Sequence, residues 1–149
     1  MSDHIHKRHN KNVLLYHIVC PIKYRKAVLT PQREETLKQT CAAIAKRYEI
    51  HFVEIGTDED HVHFLAQSVP NLLLARMVQT IKSLTAREMF QKHPELRKEL
   101  WGGNFWTSGY YVNTVGQYGN EDVIRNYVKS QGRQYQQIKR DQLNLFAEL

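Results

Sequence analysis

Residues 13–20 read VLLYHIVC, an almost unbroken apolar run with β-branched residues. A run this short, with no helical spacing, predicts a strand covered on both faces. The period then changes. Thr30 and Pro31 supply a capping hydroxyl followed by a proline at the first helical position. Leu37, Cys41, Ile44 and Tyr48 return at helical intervals, so 31–48 is predicted to be an amphipathic helix. IHFVEIG, residues 50–56, predicts a second strand. The polar stretch Thr57 to Asp60 predicts a hairpin loop, leading into a third strand that holds His61 and His63. Pro70 and Asn71 open a second helix whose apolar stripe is Leu73, Met77, Ile81 and Leu84, with Arg76, Lys82 and Arg87 off the stripe. His93 and Pro94 break that pattern, WGGNFW reads as a loop, and the aromatic, β-branched segment 105–116 predicts a fourth strand. GQYG then turns into a third helix, from 120 to about 139.

The order β-α-β-β-α-β is that of an α+β, ferredoxin-like split βαβ sheet, here with an added C-terminal helix carrying Tyr127. Two helices cover one sheet face and leave the other open. Side chains alternate along a strand, so Val62, Phe64 and Ala66 are predicted to pack on the helices. His61, His63, Leu65 and Gln67 then point to the open face. His17 on the first strand has two readings, an approach to that face or a satisfied core histidine, and the second carries more weight. The organisation is a basic tail over residues 1–12 and a single domain over 13–149.

Composition narrows the class without choosing a function. The 149 residues are 42% hydrophobic and 24% charged, enough for a packed core rather than a disordered chain. No run of about 18 apolar residues occurs, and MSDHIHKRHNKN has no apolar signal region, so neither a membrane span nor secretion is expected. Cys20 and Cys41 both sit in apolar patterns and form no CxxC pair, which fits a reducing cytoplasm. His4, His6 and His9 in the tail lack companion ligands for a structural metal site. The net charge of +6 and pI near 9.4 favour a polyanionic partner. Basic residues cluster at Lys23, Arg25 and Lys26 around Tyr24, and again at Arg125, Lys129, Arg133, Lys139 and Arg140. A solvated face is the plainer reading of each cluster. Lys23, Tyr24, Arg25, Lys26, Arg76 and Lys82 are the candidate contacts to a nucleic acid.

His61 and His63, two apart on one strand, share a face and can converge on one cation. Tyr127 and Gln131, four apart, are neighbours on one helix face. The glutamine carbonyl suits a hard divalent ion as a third ligand, and the adjacent phenol is a potential nucleophile. The competing reading packs Tyr127 with Ile124 and Val128 and leaves Gln131 in water.

His61-Val62-His63 resembles the histidine-hydrophobe-histidine (HUH) signature of single-tyrosine transposases of the insertion sequence 200/605 type. YHIVCPIKYRKAVL, TDEDHVHFL, FWTSGYYVNTVG and VIRNYVKSQ resemble that family's segments in the family's order, over roughly 13–135. The resemblance implies a divalent ion, Mg²⁺ or Mn²⁺, on His61, His63 and Gln131, with Tyr127 as the residue that attacks DNA. It also implies single-stranded DNA with hairpins as substrate, a 5′-phosphotyrosine intermediate, and a homodimer with composite active sites. Gly116 and Gly119, around the turn before the tyrosine helix, are compatible with that helix reaching a partner. The sequence departs from the family at Ile22, which separates Pro21 from Lys23-Tyr24-Arg25. Asp60 reads as a turn residue rather than a general base. A housekeeping HUH nuclease acting on genomic palindromic repeats and a non-catalytic nucleic-acid-binding module are the alternatives. Exposed aromatics such as Tyr24 and Trp106 would suit a single strand, although each is individually more readily a core residue.

Overall fold

A computed structural model of the chain describes residues 14–68 and 72–116, with side chains as far as Thr114. The basic tail, Val13, Val69, Pro70, Asn71 and everything from residue 117 onward lie outside the described residues. The third helix, Gly119, Tyr127, Gln131 and the C-terminal basic cluster are therefore not part of this description. The elements are β1 (Leu14–Pro21), a 3-10 turn (Lys23–Arg25), α1 (Pro31–Tyr48), β2 (Ile50–Asp58), β3 (His61–Ser68), α2 (Leu74–Lys92), α3 (Leu96–Glu99) and β4 (Tyr111–Gly116). The four strands form one antiparallel sheet in the order β2-β3-β1-β4. This is the ferredoxin-like arrangement expected from the pattern.

β1 is flanked by β3 and β4, and Leu15 through Pro21 are all buried, which accounts for its continuous apolar run. One face of the sheet presents Ile18, Cys20, Val62, Phe64 and Ala66 to Leu37, Cys41 and Ile44 of α1 and Met77, Val78, Ile81 and Met89 of α2. Thr30 accepts the Arg33 N–H at 3.4 Å, as the capping pattern required, and Glu49 in the left-handed region ends α1. On the other face Leu15 and Leu65 form a small second cluster with Val53. Burial pushes the Cys20 and Cys41 thiols up to about 12, so both are packing residues and not nucleophiles at neutral pH.

Several boundaries differ from the pattern. β2 runs on to Asp58, because Thr57 pairs with Val62 and Asp58 with His61, leaving Glu59 and Asp60 alone as the turn. The ladder on β2 is interrupted between Phe52 and Glu54. Val53 is the extra residue of a bulge, so Ile55 faces the core and Gly56 the opposite face. α2 begins at Leu74, and Leu73, its N-cap residue, is 70% exposed rather than part of the buried stripe. β4 begins at Tyr111, not at 105. Phe105 and Trp106 are core plugs, Trp106 making only an isolated bridge to Ile22 and donating its Nε1–H to Thr85 Oγ1 at 3.0 Å. Lys82 Nζ meanwhile holds the Thr107 carbonyl at 2.7 Å and those of Ser108 and Gly109 at 3.4 Å, keeping this stretch off the sheet. α3 was invisible to periodicity because it is a single turn.

Candidate active site

Register brings His61 and His63 together on the sheet face opposite the described helices, His61 between Asp58 of β2 and Pro21 of β1, His63 between Gly56 and Val19. Their ring centroids are 6.4 Å apart with planes inclined by 35°. The face expected to be open is closed here: His61 is 2% and His63 8% exposed. Part of the reason is Gly56. A methyl group built on it would come within 1.8 Å of His63 Cε1 and 2.0 Å of Nε2, so the imidazole occupies the space that the missing side chain vacates.

His17 belongs to this face and not to the helix-side core, correcting the weightier of its two readings. Its ring stands edge-on to His63, centroids 5.8 Å apart at 85°, and it is buried beside Leu15 and Leu65. Burial lowers the His17 pKa to about 4. For His63, burial first and then the neighbouring His17 and His61 lower it to about 3. Both imidazoles are neutral at neutral pH, and a neutral imidazole keeps a lone pair to offer.

His61 is held differently. Its Nδ1 lies 2.8 Å from Asp60 Oδ1, and since a carboxylate only accepts, Nδ1 carries the proton. Arg25 Nη2 reaches the other oxygen of Asp60 at 3.5 Å, so the carboxylate links the Lys23–Arg25 turn to the histidine. Asp60 is thus a positioning residue as well as a turn residue. The other ring nitrogen is Nε2. It is buried without a hydrogen-bond partner among the described residues, 3.1 Å from Asp58 Oδ2. A ring nitrogen and a carboxylate oxygen in that relation suit a shared proton or a cation beside them. The donor set therefore fits a divalent ion, although no group of three His, Cys, Asp or Glu side chains among the described residues is arranged to hold one. Tyr127 and Gln131 lie outside the described residues.

The other candidates lie on the turn after β1 and on α2. Lys23, Arg25 and Lys26 are half-buried and Tyr24 exposed, on the turn that follows β1. Arg76 is exposed on α2. Lys82, half-buried, is occupied by the carbonyls of 107–109, and burial lowers its pKa. The pattern missed Gly56, and it read Asp58 as loop when it is the last residue of β2.

The model of the family described as "Transposase IS200 like" matches residues 10–131. The chain belongs to that family. These IS200-like proteins are transposases of the single-tyrosine kind, enzymes that cleave and rejoin DNA. Among curated relatives, the ISDra2 transposase TnpA of Deinococcus radiodurans is 33% identical over 118 residues, 79% of this chain and 84% of its own. The IS200 transposase of Salmonella typhimurium is 24% identical over 131 residues, 88% and 85% of the two chains. A crystal structure of a Deinococcus radiodurans R1 protein assigned as a transposase superposes with a TM-score of 0.69 at 30% identity, covering 86% of this chain and 98% of that one. A REP-associated tyrosine transposase, determined bound to a REP hairpin, shares the fold alone: TM-score 0.53, 11% identity, 86% of this chain and 68% of that one. No described helix of this IS200-like chain is long and apolar enough to cross a membrane.

Proposed function

We propose that this IS200-like transposase cleaves and rejoins single-stranded DNA at hairpin-bearing ends of an insertion sequence, with Tyr127 as nucleophile. The observation that carries the reading is the buried pair His61 and His63, side by side on the sheet face away from the helices, with His63 held neutral by burial, in a chain of this family. The curated relatives are insertion-sequence transposases, which favours a mobile-element substrate over genomic repeats. A non-catalytic binding module would leave the family membership and the seated histidine pair without a purpose.

His61 and His63 together with Gln131 would hold Mg²⁺ or Mn²⁺, which when bound polarises the scissile phosphate and offsets its charge. Asp60 fixes the His61 ring by accepting a hydrogen bond from Nδ1–H, so Nε2 is the atom that would face the ion. Gly56 lets His63 lie against the sheet. The Tyr127 oxygen attacks phosphorus, forming a 5′-phosphotyrosine bond while the bond to the 3′ oxygen breaks. The phenol gives up its proton and the departing 3′ oxygen takes one. Attack of another strand's 3′-hydroxyl on the phosphotyrosine reverses the step and restores the phenol, so rejoining needs no ATP. Lys23, Tyr24, Arg25, Lys26, Arg76 and Lys82 are the DNA contacts in this reading, and the working unit is a homodimer with composite sites.

The test is incubation with hairpin-bearing single-stranded DNA and Mg²⁺, followed by mass spectrometry of the covalent adduct. An adduct on Tyr127 is expected, lost in Tyr127→Phe and in His61→Ala/His63→Ala while both variants keep their circular dichroism. An adduct on another tyrosine, or normal cleavage by the double histidine variant, defeats the assignment.

A further inference from the structure

Two aromatic rings stand outside the core on neighbouring turns. Tyr24 is 57% and Trp101 70% exposed, and with Leu73 they are the large hydrophobic side chains left in solvent among the described residues. Their ring centroids are 5.3 Å apart at 57°. Each has an ammonium against it: Lys23 Nζ lies 5.3 Å from the Tyr24 centroid, and Lys26 Nζ 3.9 Å from that of Trp101.

The backbone beneath them is unusual. Tyr24, Arg25 and Trp101 adopt φ of 58°, 51° and 53°, and Glu49 is the one other non-glycine residue with positive φ among those described. Bulky side chains are disfavoured in that region, and such conformations persist where surrounding bonds impose them and tend to gather at functional sites. The bonds are present. Lys23 N–H donates to Phe105 O at 2.8 Å, Arg25 N–H to Ile22 O at 2.8 Å, and Gly102 N–H to Arg97 O at 2.9 Å. Lys26 Nζ donates to Glu99 O at 2.8 Å, tying one turn to the other while covering part of the Trp101 ring. Core packing does not explain two aromatics held outward on strained backbone.

The chemistry of the pair selects its occupant. Flat rings beside ammonium groups match an unpaired nucleobase and its phosphates: the ring stacks on the base and the cation meets the anion. Bases within a duplex already stack on each other and offer no free face. The turn that carries Tyr24 is bonded to the histidine site, since Ile22 N–H donates to Asp60 O at 2.9 Å and Arg25 contacts the Asp60 carboxylate that holds His61. We propose that Tyr24 and Trp101 form a stacking platform for an unpaired nucleobase of the strand that enters the histidine site. This rests on single-stranded DNA being the substrate.

Fluorescence anisotropy with labelled oligothymidylate and with a blunt, hairpin-free duplex separates the possibilities. Trp101→Ala and Tyr24→Ala should each weaken oligothymidylate binding about tenfold, leave duplex binding unchanged, and melt near the wild-type temperature. Trp101→Phe should bind nearly as well as wild type, which keeps the test valid should an alanine variant fail to fold. The protein has two tryptophans, and Trp106 is buried, so quenching of intrinsic fluorescence by oligothymidylate reports on Trp101. That quenching should vanish in Trp101→Phe. Wild-type protein that binds oligothymidylate without quenching, and alanine variants that bind it undiminished, would overturn the platform alone. Equal losses on duplex and single strand would also overturn it, pointing to a charged surface. Wild-type protein that does not bind oligothymidylate at all would overturn the substrate reading and the platform with it.

Discussion

A methyl group at Gly56 cannot coexist with the His63 ring in its present place, so Gly56→Ala must turn the ring away. Metal-dependent cleavage should fall about tenfold or more, the usual effect of disturbing a ligand's support. The folding cost of Gly56→Ala should disappear when His63→Ala is already present, and a double-mutant cycle in urea measures this directly. Equal costs in both backgrounds would mean that the ring and the glycine do not compete. His17 gives a pH signature. Its folded pKa is about 4 against an ordinary 6.5, and that of His63 about 3. Below about pH 6.5 the unfolded chain takes up these protons and the folded chain does not. Stability therefore falls on acidification, by up to about 1.4 kcal/mol per pH unit for each histidine, until the folded pKa is reached. Glu54, whose pKa burial raises, works in the opposite sense at the acid end. The readout is thus the difference between wild type and His17→Leu: urea melts between about pH 7 and about pH 5 should show a shallower slope for the variant. Parallel slopes would mean that His17 is not buried neutral. A lone histidine in an apolar run does not disclose its face, and pairing His17 with Leu65 and Asn113 required the register.

Among the elements, α3 is tied to the start of α1 through Arg33. Arg33, buried at the start of α1, donates to Val28 O at 2.9 Å, to Glu99 Oε1 at 3.2 Å and to Glu95 Oε1 at 3.2 Å. The Glu99 hydrogen bond, the larger influence, raises the Arg33 pKa and correspondingly lowers that of Glu99. The carboxylates are far more exposed than the guanidinium. Arg33→Met should thus cost about 1–3 kcal/mol rather than the larger penalty of a wholly buried pair. Arg33→Lys should recover only part of this, because an ammonium lacks the planar fork. Urea denaturation decides, and an unchanged midpoint would show that α3 is held by Leu96 and Leu100 alone. The long elements were legible because their periods of 2 and 3.6 are sustained, and Thr30-Pro31 and Leu37-Cys41-Ile44 reappear as a cap and a buried stripe. Short or mixed signals were not. Four residues cannot display a helical period, and Phe105-Trp106 have strand composition but serve as plugs under the sheet. Trp101 in a glycine-bounded loop gave no sign that it meets Tyr24, a contact between turns distant in sequence. Of the candidate site, the histidine pair was legible from alternation alone. Asp58 and Gly56 were hidden by a hairpin two residues tighter than expected and by the bulge at Val53, which sets the face of every later residue on β2.

At the scale of the whole molecule, the charge of +6 predicts DNA binding that weakens steeply with salt. For a single strand, each neutralised phosphate contributes about −0.7 to the slope of log affinity against log salt. Lys23→Gln should make that slope shallower by about this amount if Lys23 meets a phosphate, and an unchanged slope removes it from the contact set. In the proposed homodimer, mixing Tyr127→Phe with His63→Ala chains should rebuild one working site per heterodimer. No recovered cleavage after verified subunit exchange would assign each site to one chain. The antiparallel exit of β4 bears on this as a matter of reach. Gly116 leaves the sheet beside Leu15, four strand positions along β1 from Val19 and the level of His63, or about 13 Å. A helix climbs about 1.5 Å per residue, so doubling back over that distance takes about nine residues, and Tyr127 comes eleven after Gly116. With the helix expected from 120, Tyr127 stands seven residues in, a climb of about 10 Å. The turn before it would have to supply the rest for the phenol to come level with the histidines of its own sheet or of a facing copy. Removing three residues between Gly119 and Tyr127 should leave it short and abolish the adduct in both arrangements, whereas adding a flexible pair after Gly119 should be tolerated.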